Sequence, residues 1–327
     1  LKMRGMPVDL SIVVPLYNEE DNLEALHAEI AAAVDELDLE WEAVYVDDGS
    51  ADSTYEILQK LAAQDKRVVG VRFRKNFGQT AAMSAGFDYS KGKVVVTMDG
   101  DLQNDPRDIA KLLAKLNEGY DIAAGWRYDR QDAYLSRKLP SRIANGLISL
   151  ITKVKLHDYG CTLKAFRRNV VSNIRLYGEM HRFIPAIASW MGVSIAEVPV
   201  NHRPRRAGKS KYGIGRTPRV LLDLITVKFL LSYATRPIQI FGKWGLFASG
   251  AGFLLALYYA IQRLFFAVPL WGKPGLILAV LLMFIGVQLI SIGLLGEMQM
   301  RSYYETQNKP IYTVREVLNG EEGRGCS

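Results

Sequence analysis

The chain is poor in cysteine and lacks the glycine-rich motifs of the common nucleotide-binding folds. Its 327 residues include two cysteines, Cys161 and Cys326, far apart in sequence. This spacing predicts neither a disulfide framework nor a cysteine-based metal site. No G-x-G-x-x-G follows the first apolar run and no P-loop motif occurs, which argues against a dinucleotide-binding dehydrogenase and a P-loop enzyme. No signal-peptide-like segment precedes that first run, so none is expected.

Charge is missing from two long stretches near the C-terminus. Trp244 to Gln262 and Pro274 to Gly296 contain 19 and 23 residues without Lys, Arg, Asp or Glu. As helices they would extend roughly 28 and 34 Å, close to the hydrocarbon core of a bilayer at about 30 Å. Neither shows the polar stripe of a helix in a soluble core. We therefore predict two transmembrane helices, at about 240–264 and 274–297, with two buried helices of a soluble protein as the alternative.

The chain as a whole is basic. Its formal charge of +7 and pI of about 9.2 favour anionic partners, such as phosphates, anionic lipid or nucleic acid. A basic segment around Arg137 opens an amphipathic run at 143–154, which favours a helix lying on a membrane surface. Nucleic-acid binding is disfavoured because the basic residues have no interleaved aromatic platforms. We therefore expect a membrane and no nucleic acid as partners.

Short apolar runs alternate with helical periodicity over the first hundred residues. Strands are predicted at 10–16, 41–46, 68–73 and 94–97, with helices between them. This alternation predicts a Rossmann-like α/β fold with a doubly wound, mostly parallel sheet. In such sheets the ligand lies beyond the carboxyl ends of the strands. The residues that follow the strands are therefore the candidates for a site.

Acidic residues follow two of these strands. Asp47 and Asp48 end the second strand, and Asp99 and Asp101 flank Gly100 after the fourth. Residues i and i+2 of an extended segment point to the same side, so Asp99 and Asp101 can converge on one cation. Mg²⁺ or Mn²⁺ is the expected cofactor, because such ions are held by one or two carboxylates together with substrate phosphates. A solvated turn is the alternative.

Three ordered motifs carry a family resemblance. They are V-V-P-L-Y-N-E-E at 13–20, V-D-D-G-S at 46–50 and D-G-D-L-Q at 99–103. With these motifs the chain resembles the family 2 glycosyltransferases, which have the nucleotide-sugar-binding GT-A fold. Over residues 8 to 315 it is similar to the polyprenyl-phosphate glycosyltransferases, which include dolichyl-phosphate mannose synthase and the bacterial GtrB-type glucosyltransferases.

The resemblance implies a donor site. Asp99 and Asp101 would hold the metal and the diphosphate, and Gln103 would lie beside the metal or the donor sugar. Arg205 and Lys211, in an R-x-x-G-x-S-K loop, would close over the diphosphate unless the loop binds lipid headgroups. The residues implied to bind the nucleotide sugar, with strand-end packing or simple turns as alternatives, are Pro15, Tyr17, Asn18, Glu19, Asp47, Asp48 and Asn76.

The resemblance also implies an acceptor site. Arg127, Arg137 and Ser141 would bind the acceptor phosphate, since the planar fork of arginine suits a phosphate. Asp158 would be the catalytic base or a positioning group, with a structural role as the third alternative. The reaction has little need of a base, because a phosphate monoester has its second pKa near 6 and is largely deprotonated at neutral pH. Cys161 is expected to be a small buried residue.

The implied activity is transfer of a hexose, with inversion, to a polyprenyl phosphate, which would be undecaprenyl phosphate in a bacterium. UDP-glucose is the expected donor and GDP-mannose the alternative. A processive polysaccharide synthase is disfavoured because the chain has no Q-x-x-R-W box. A catalytically silent membrane scaffold, or a component of sugar-lipid translocation, is the alternative from another class.

The expected organisation follows from these predictions. A cytoplasmic GT-A domain at 1–216 has a membrane-interface helix near 141–155 and is followed by a juxtamembrane helix at 217–236. Two transmembrane helices lie within 237–300, and 301–327 form a cytoplasmic tail. The positive-inside bias places the catalytic domain on the cytoplasmic face, at the inner membrane in a bacterium. Small residues such as Gly245, Ser249, Gly252 and Gly286 would pack the helices within a protomer or in a homo-oligomer.

Overall fold

The protein forms two compact units, one of Leu1–Val227 with Lys309–Ser327 and the other of Lys228–Asn308. This computed structural model describes residues 8–128, 149, 154–174, 176, 180–189, 191–204, 238–266, 268–269, 271–306 and 312–320. The predicted juxtamembrane helix at 217–236 lies outside the described residues, as does nearly all of the predicted interface helix near 141–155.

The first unit is built on one eight-stranded sheet. Its strands are β1 Leu10–Leu16, β2 Trp41–Asp47, β3 Val68–Phe73, β4 Val94–Thr97, β5 Ile122–Arg127, β6 Lys164–Arg167, β7 Ile195–Val200 and β8 Val314–Leu318. Their order across the sheet is β7-β5-β6-β4-β1-β2-β3-β8. β1 to β4 run parallel, and β6 is antiparallel to both β4 and β5. β4 and β5 therefore point the same way, and both end on the rim where β1, β2 and β3 end.

Helices cover both faces of this sheet. They are α1 Leu23–Asp35, α2 Thr54–Gln64, α3 Gln79–Tyr89, α4 Ile109–Asn117, α5 Arg168–Asn173 and α6 Ile184–Ser189. β1 shows why both faces are covered: Ile12 and Val14 pack in the core formed with α1, α2 and α4, whereas Val13 packs in the core formed with α3. A strand buried on both faces has a continuous apolar sequence. The predicted doubly wound, mostly parallel sheet is thus confirmed.

The edge strand β8 comes from the C-terminal segment. It pairs antiparallel with β3, with Arg72 opposite Glu316. Just before it, the ring of Tyr312 stacks on Phe73 with centroids 5.1 Å apart, and its hydroxyl donates to Asp88 (2.9 Å). Residues 301–327 are predicted as a C-terminal tail. The structure instead includes residues 314–318 in the eight-stranded sheet.

The second unit contains two long apolar helices, α7 Ile238–Phe266 and α8 Pro274–Thr306. Within them, Phe241–Phe266 and Pro274–Gly296 are long and apolar enough to cross a membrane. Large apolar side chains face outward, and Phe247 and Phe284 are 69% and 70% exposed. Such exposure fits a lipid environment and not a soluble core. The two predicted apolar helices are therefore present, close to the predicted bounds.

Small residues let α7 and α8 approach each other closely. A Cβ atom added to Gly245 would lie 2.6 Å from the carbonyl oxygen of Gly286, and one added to Gly252 would lie 2.6 Å from that of Ala279. Non-bonded carbon and oxygen atoms do not approach each other this closely, so both positions require glycine. The predicted small-residue packing is confirmed within one protomer.

Replacing Gly286 by valine should destabilise this helix pair. A Cβ there would lie 2.5 Å from the carbonyl oxygen of Gly245 and would overlap Ser249 Oγ. Overpacking of this kind costs about 1–3 kcal/mol, so we expect the melting temperature in detergent to fall by several degrees. Gly250→Ala is the matched control, because nothing lies within 4 Å of a Cβ at that position. Equal melting temperatures for the two variants would contradict the packing.

Candidate active site

Four segments meet at the rim formed by the carboxyl ends of the parallel strands. They are residues 17–19, 47–50, 75–78 and 98–103. The first is fastened to the second by Asn18, whose backbone N–H donates to Ser50 Oγ and whose Oδ1 accepts from Ala51 N, both at 2.9 Å. Asn18 has φ 53°, a conformation that asparagine tolerates well. These hydrogen bonds bring together two segments that are predicted to bind the nucleotide sugar.

The remaining predicted residues of the first segment surround this junction. Glu19 N donates to Thr54 Oγ1 (2.8 Å), and Glu19 Oε2 accepts from Asn22 Nδ2 (2.8 Å). Tyr17 is 37% exposed and Pro15 is partly buried within β1. The segment after β1 therefore has a fixed backbone and presents an aromatic ring at the surface of the rim.

Asp47 is fully buried at the end of β2. Its Oδ1 accepts from Ser50 N (3.0 Å), and its Oδ2 lies 3.5 Å from Arg72 Nε. Burial raises the pKa of this carboxyl, while the hydrogen bonds from Ser50 and the charge of Arg72 oppose the rise. Because β8 places Glu316 opposite Arg72, the C-terminal strand borders the groups that surround Asp47.

Asp48 anchors the segment after β3. Its two carboxylate oxygens accept from the backbone N–H groups of Phe77 (2.6 Å) and Gly78 (2.9 Å), which positions the exposed Asn76. Gly49 has φ 69°, and a Cβ there would lie 2.7 Å from the backbone of Lys75, so glycine is required for this approach. Burial raises the pKa of Asp48 from 3.8 to about 6.

This raised pKa predicts a pH dependence of stability. The unfolded carboxyl loses its proton near pH 3.8 and the folded one near pH 6, so the stability contributed by the protonated group is lost as the pH rises through this window. Asparagine has no proton to lose. Asp48→Asn should therefore gain melting temperature relative to the wild type between about pH 4 and 6, on top of a constant penalty for its lost hydrogen bond. A difference independent of pH would contradict the assignment.

Asp99 follows β4 and is held on both sides. Its Oδ1 accepts from Gln79 Nε2 (2.8 Å) and its Oδ2 from Thr162 Oγ1 (2.7 Å). The buried Asn104 supports the turn by accepting from Asp99 N (3.2 Å). Burial, with a smaller effect of the nearby Asp101, raises the pKa of Asp99 to about 6. The carboxylate is thus fixed in orientation at the centre of the rim.

Asp101 and Gln103 complete this turn. Asp101 is 9% exposed, and its Oδ1 accepts from Gln103 N (3.2 Å). Leu102 between them has φ 60°, a left-handed conformation unusual for leucine. Gln103 is also tied to the segment after β7, because its carbonyl accepts from Arg203 N (2.9 Å).

The carboxylate oxygens at this rim suit a hard divalent cation as ligands. Among the described residues, no three Asp, Glu, His or Cys side chains gather around one point, so this part of the chain offers no complete cage. Asp99 and Asp101 instead provide two neighbouring carboxylates, and substrate oxygens would supply further ligands. Mg²⁺ and Mn²⁺ are commonly bound in this way, by one or two carboxylates together with substrate phosphates.

Arg127 and Asp158 form a buried pair on the same rim. Arg127, the last residue of β5, donates from Nε to Asp158 Oδ2 (2.7 Å) and from Nη2 to Oδ1 (2.9 Å). Gly160 N also donates to Oδ1 (3.0 Å). Asp158 raises the pKa of Arg127, although burial alone would lower it. Both residues are predicted from the sequence as parts of the acceptor site, but their pairing is not. Arg137 and Ser141, the other two residues predicted to bind the acceptor phosphate, lie outside the described residues.

Residues missed by the sequence analysis support this centre. Gln79 and Thr162 hold Asp99 from positions 20 and 63 residues away, and no local pattern marks such contacts. Lys164 is 2% exposed, and its Nζ donates to the carbonyl oxygens of Tyr159 and Cys161. Burial lowers the pKa of Lys164. Its position among the apolar residues Leu163, Ala165 and Phe166, all of them buried, is a signal that could have found it.

Two further predictions concern Cys161 and the R-x-x-G-x-S-K loop. Cys161 is fully buried, as predicted, and burial raises the pKa of its thiol to about 11, so it stays protonated. The chain just before the R-x-x-G-x-S-K loop is fixed by Arg203, which pairs with Glu29 (2.5 Å) and Asp105 (2.8 Å). Arg205 and Lys211 lie outside the described residues.

Comparison with solved structures defines the class of fold. Glucosyl-3-phosphoglycerate synthase of Mycobacterium tuberculosis, solved with Mn²⁺, UDP and its product, aligns with a TM-score of 0.53 over 68% of this chain and 80% of that one, at 18% identity. The same enzyme with Mn²⁺ and UDP-glucose also gives 0.53. The fold is therefore the GT-A fold, as predicted.

Sequence comparison defines the family. The family model described as Glycosyl transferase family 2 matches residues 11–175. Dodecaprenyl-phosphate galacturonate synthase of Rhizobium johnstonii is 42% identical, over 96% of this chain and 94% of that protein. Undecaprenyl-phosphate 4-deoxy-4-formamido-L-arabinose transferase of Shewanella sediminis is 38% identical, over 97% and 95%. The chain belongs to glycosyltransferase family 2, as its motifs predict, and is a sugar-transferring enzyme.

Proposed function

We propose that this enzyme transfers a sugar from a nucleotide diphosphate to a polyprenyl phosphate at a membrane surface. One observation carries the proposal: the loop 158–162 contacts both halves of the rim. At one end Asp158 pairs with Arg127, and at the other Thr162 donates to Asp99 (2.7 Å). A phosphate held by Arg127 and a diphosphate held through Asp99 and Asp101 would be neighbours, as direct transfer requires.

The donor would bind where the segments after β1, β2 and β3 meet. Pro15, Tyr17, Asn18 and Glu19 would face the nucleoside. The buried Asp47 would support them through Ser50, and Asp48 would act by holding Asn76 in place. Asp99 and Asp101 would hold a divalent cation, with Gln103 beside it. When bound, the cation would neutralise charge on the departing diphosphate. Arg205 and Lys211 would add positive charge to the same leaving group.

The acceptor would bind on the side of β5. Arg127 would hold its phosphate, helped by Arg137 and Ser141 as the family resemblance implies. Asp158 engages Arg127 with both oxygens, which supports a positioning role over that of a base. The chemistry agrees, because the acceptor phosphate is already largely dianionic at neutral pH.

Transfer would then be a single displacement. An oxygen of the acceptor phosphate attacks the anomeric carbon while the bond from that carbon to the donor diphosphate breaks, and the nucleoside diphosphate leaves with the electron pair. The configuration inverts, so an α-linked donor yields a β-linked lipid phosphosugar. The protein would contribute chiefly by orienting the two phosphates and by stabilising charge.

The identity of the donor sugar is the more specific part of the proposal. UDP-galacturonate becomes the first donor to test, because the 42% identical relative is named a galacturonate synthase. UDP-glucose, the expectation from sequence, is tested beside it, with GDP-mannose as the donor with another base. The Shewanella relative adds a formamido-arabinose donor as a fourth.

The test is transfer of radiolabelled sugar from each donor to undecaprenyl phosphate in detergent, with Mg²⁺ or Mn²⁺ and with a chelator as control. Label entering the lipid with one donor, and only with metal, is the expected result. A protein that binds nucleotide but labels no lipid with any donor would overturn the proposed acceptor class. A protein that binds no nucleotide would overturn the proposed donor class.

The membrane assignment belongs to the same proposal. α7 and α8 would form a two-span hairpin with both ends and the catalytic unit in the cytoplasm, at the inner membrane in a bacterium. Polyprenyl phosphate is a membrane lipid, so its phosphate would be presented at that surface. A homo-oligomer through the helices is a further expectation, and detergent-corrected mass measurement tests it.

A further inference from the structure

Glu197 on β7 makes an unusual set of contacts with the turn that carries Asp158. Its Oε1 accepts from the backbone N–H of His157 (2.7 Å) and from that of Asp158 (3.0 Å). Its Oε2 lies 2.7 Å from His157 Nδ1. One carboxylate therefore holds two consecutive backbone N–H groups and the intervening side chain, which fixes the path of the turn.

From this geometry we infer that Glu197 is a positioning residue for the acceptor phosphate, acting through Asp158 and Arg127. The inference rests on the proposed function. The chain of contacts is short: Glu197 holds Asp158 N, and the Asp158 carboxylate holds Arg127 Nε (2.7 Å) and Nη2 (2.9 Å). Arg127 would in turn bind the phosphate.

Charge and burial support a specific role for this carboxylate. Glu197 has a side chain only 13% exposed and lies on the strand beside β5, so its charge is near that of Asp158. Two buried carboxylates so close are unfavourable unless each has its own donors. Arg127 supplies them for Asp158, and the two backbone N–H groups supply them for Glu197.

His157 adds less to this arrangement. Its side chain is 70% exposed, and its ring stacks on Trp126 with centroids 4.4 Å apart and planes at 18°. A polar contact so exposed contributes little. The two backbone hydrogen bonds, donated by the N–H groups of residues 157 and 158 and independent of the His157 ring, are therefore the contacts for which the carboxylate of Glu197 is needed as acceptor.

The experiment compares three variants of the full-length protein. Glu197→Leu removes the acceptor atoms at similar volume. Glu197→Gln keeps one oxygen that can accept from both N–H groups and loses the charge. His157→Phe keeps the stacking on Trp126 and both backbone donors. Each variant is assayed with polyprenyl phosphate and donor varied in turn, and its melting temperature is measured.

We expect Glu197→Leu to raise the KM for polyprenyl phosphate about tenfold or more, with the KM for the donor within twofold of wild type. Glu197→Gln should stay within about threefold and His157→Phe within about twofold for both substrates. Should Glu197→Leu fail to fold, Glu197→Asp is used, since its shorter side chain cannot reach both N–H groups and should raise the same KM.

Two results would overturn the inference in distinguishable ways. If the wild type labels no polyprenyl phosphate, the proposed function fails and the inference fails with it. If the wild type is active and a folded Glu197→Leu or Glu197→Asp keeps the wild-type KM for the acceptor, the positioning role alone is wrong. A fall in melting temperature without a change in that KM would assign Glu197 a purely structural role.

Discussion

Replacing Asp101 by asparagine should reduce sugar transfer by at least about a thousandfold while leaving the fold intact. Asparagine matches aspartate in shape and keeps an Oδ1 that accepts from Gln103 N, the bond that shapes the turn. It removes the negative charge that a divalent cation requires. Because stabilisation of the leaving diphosphate would depend on that cation, loss of one of two carboxylates should affect the transition state more than substrate binding.

The measurement is the initial rate of lipid labelling with saturating donor, with nucleotide binding measured with and without Mg²⁺ or Mn²⁺. The variant should lose the metal-dependent part of nucleotide binding. Asp121→Asn is the matched control: this aspartate precedes β5, at the end of the strand away from the rim, where it accepts from Ser194. It should keep wild-type activity. Retention of more than a tenth of the rate by Asp101→Asn would refute the metal assignment.

The second large effect is expected at the pair formed by Arg127 and Asp158. Arg127→Lys replaces a planar fork with a point charge and cannot keep both bonds to Asp158, which now lie at 2.7 and 2.9 Å. Asp158→Asn leaves the guanidinium without its counter-charge. Either change should lower kcat/KM for the acceptor by about a hundredfold, since breaking one side of a buried pair leaves the other uncompensated.

The double variant distinguishes the two roles of Asp158. If Asp158 only positions Arg127, both substitutions break the same interaction. The double variant Arg127→Lys with Asp158→Asn should then have about the kcat/KM of the less active single variant. If Asp158 were the base, the losses would multiply to about ten-thousandfold. The measurement is a double-mutant cycle on kcat/KM for polyprenyl phosphate, with donor binding measured as a control that should not change.

Much of the fold could be predicted because local patterns and tertiary structure agree. β1 and β4 are continuous apolar runs since both of their faces are buried, and the first three helices follow with apolar residues at helical spacing. The carboxylates were found for a related reason: in a parallel sheet, the residues that follow the strands must share one rim. The two apolar helices needed only their length and their lack of charge.

The remainder depends on contacts between residues distant in sequence. Gln79 and Thr162 were missed because their bonds to Asp99 join separate elements. Nothing in the sequence marks Glu197, because the groups that its carboxylate binds lie in the turn at 157–158, 40 and 39 residues away. β8 was missed since five residues with two charges need an existing edge to become a strand. Patterns along the chain thus located the site, while its supporting contacts required the structure.

The position of β8 in the sheet limits how many times the chain can cross a bilayer. β1 to β7 precede α7 and α8 in the sequence, and β8 follows them, yet all eight strands are hydrogen-bonded into one sheet. A single sheet lies on a single side of any membrane, so the chain between β7 and β8 must cross an even number of times. The outer edge of β3 also stays unpaired until β8 has been synthesised, so this edge of the sheet is completed only after α7 and α8 have been made.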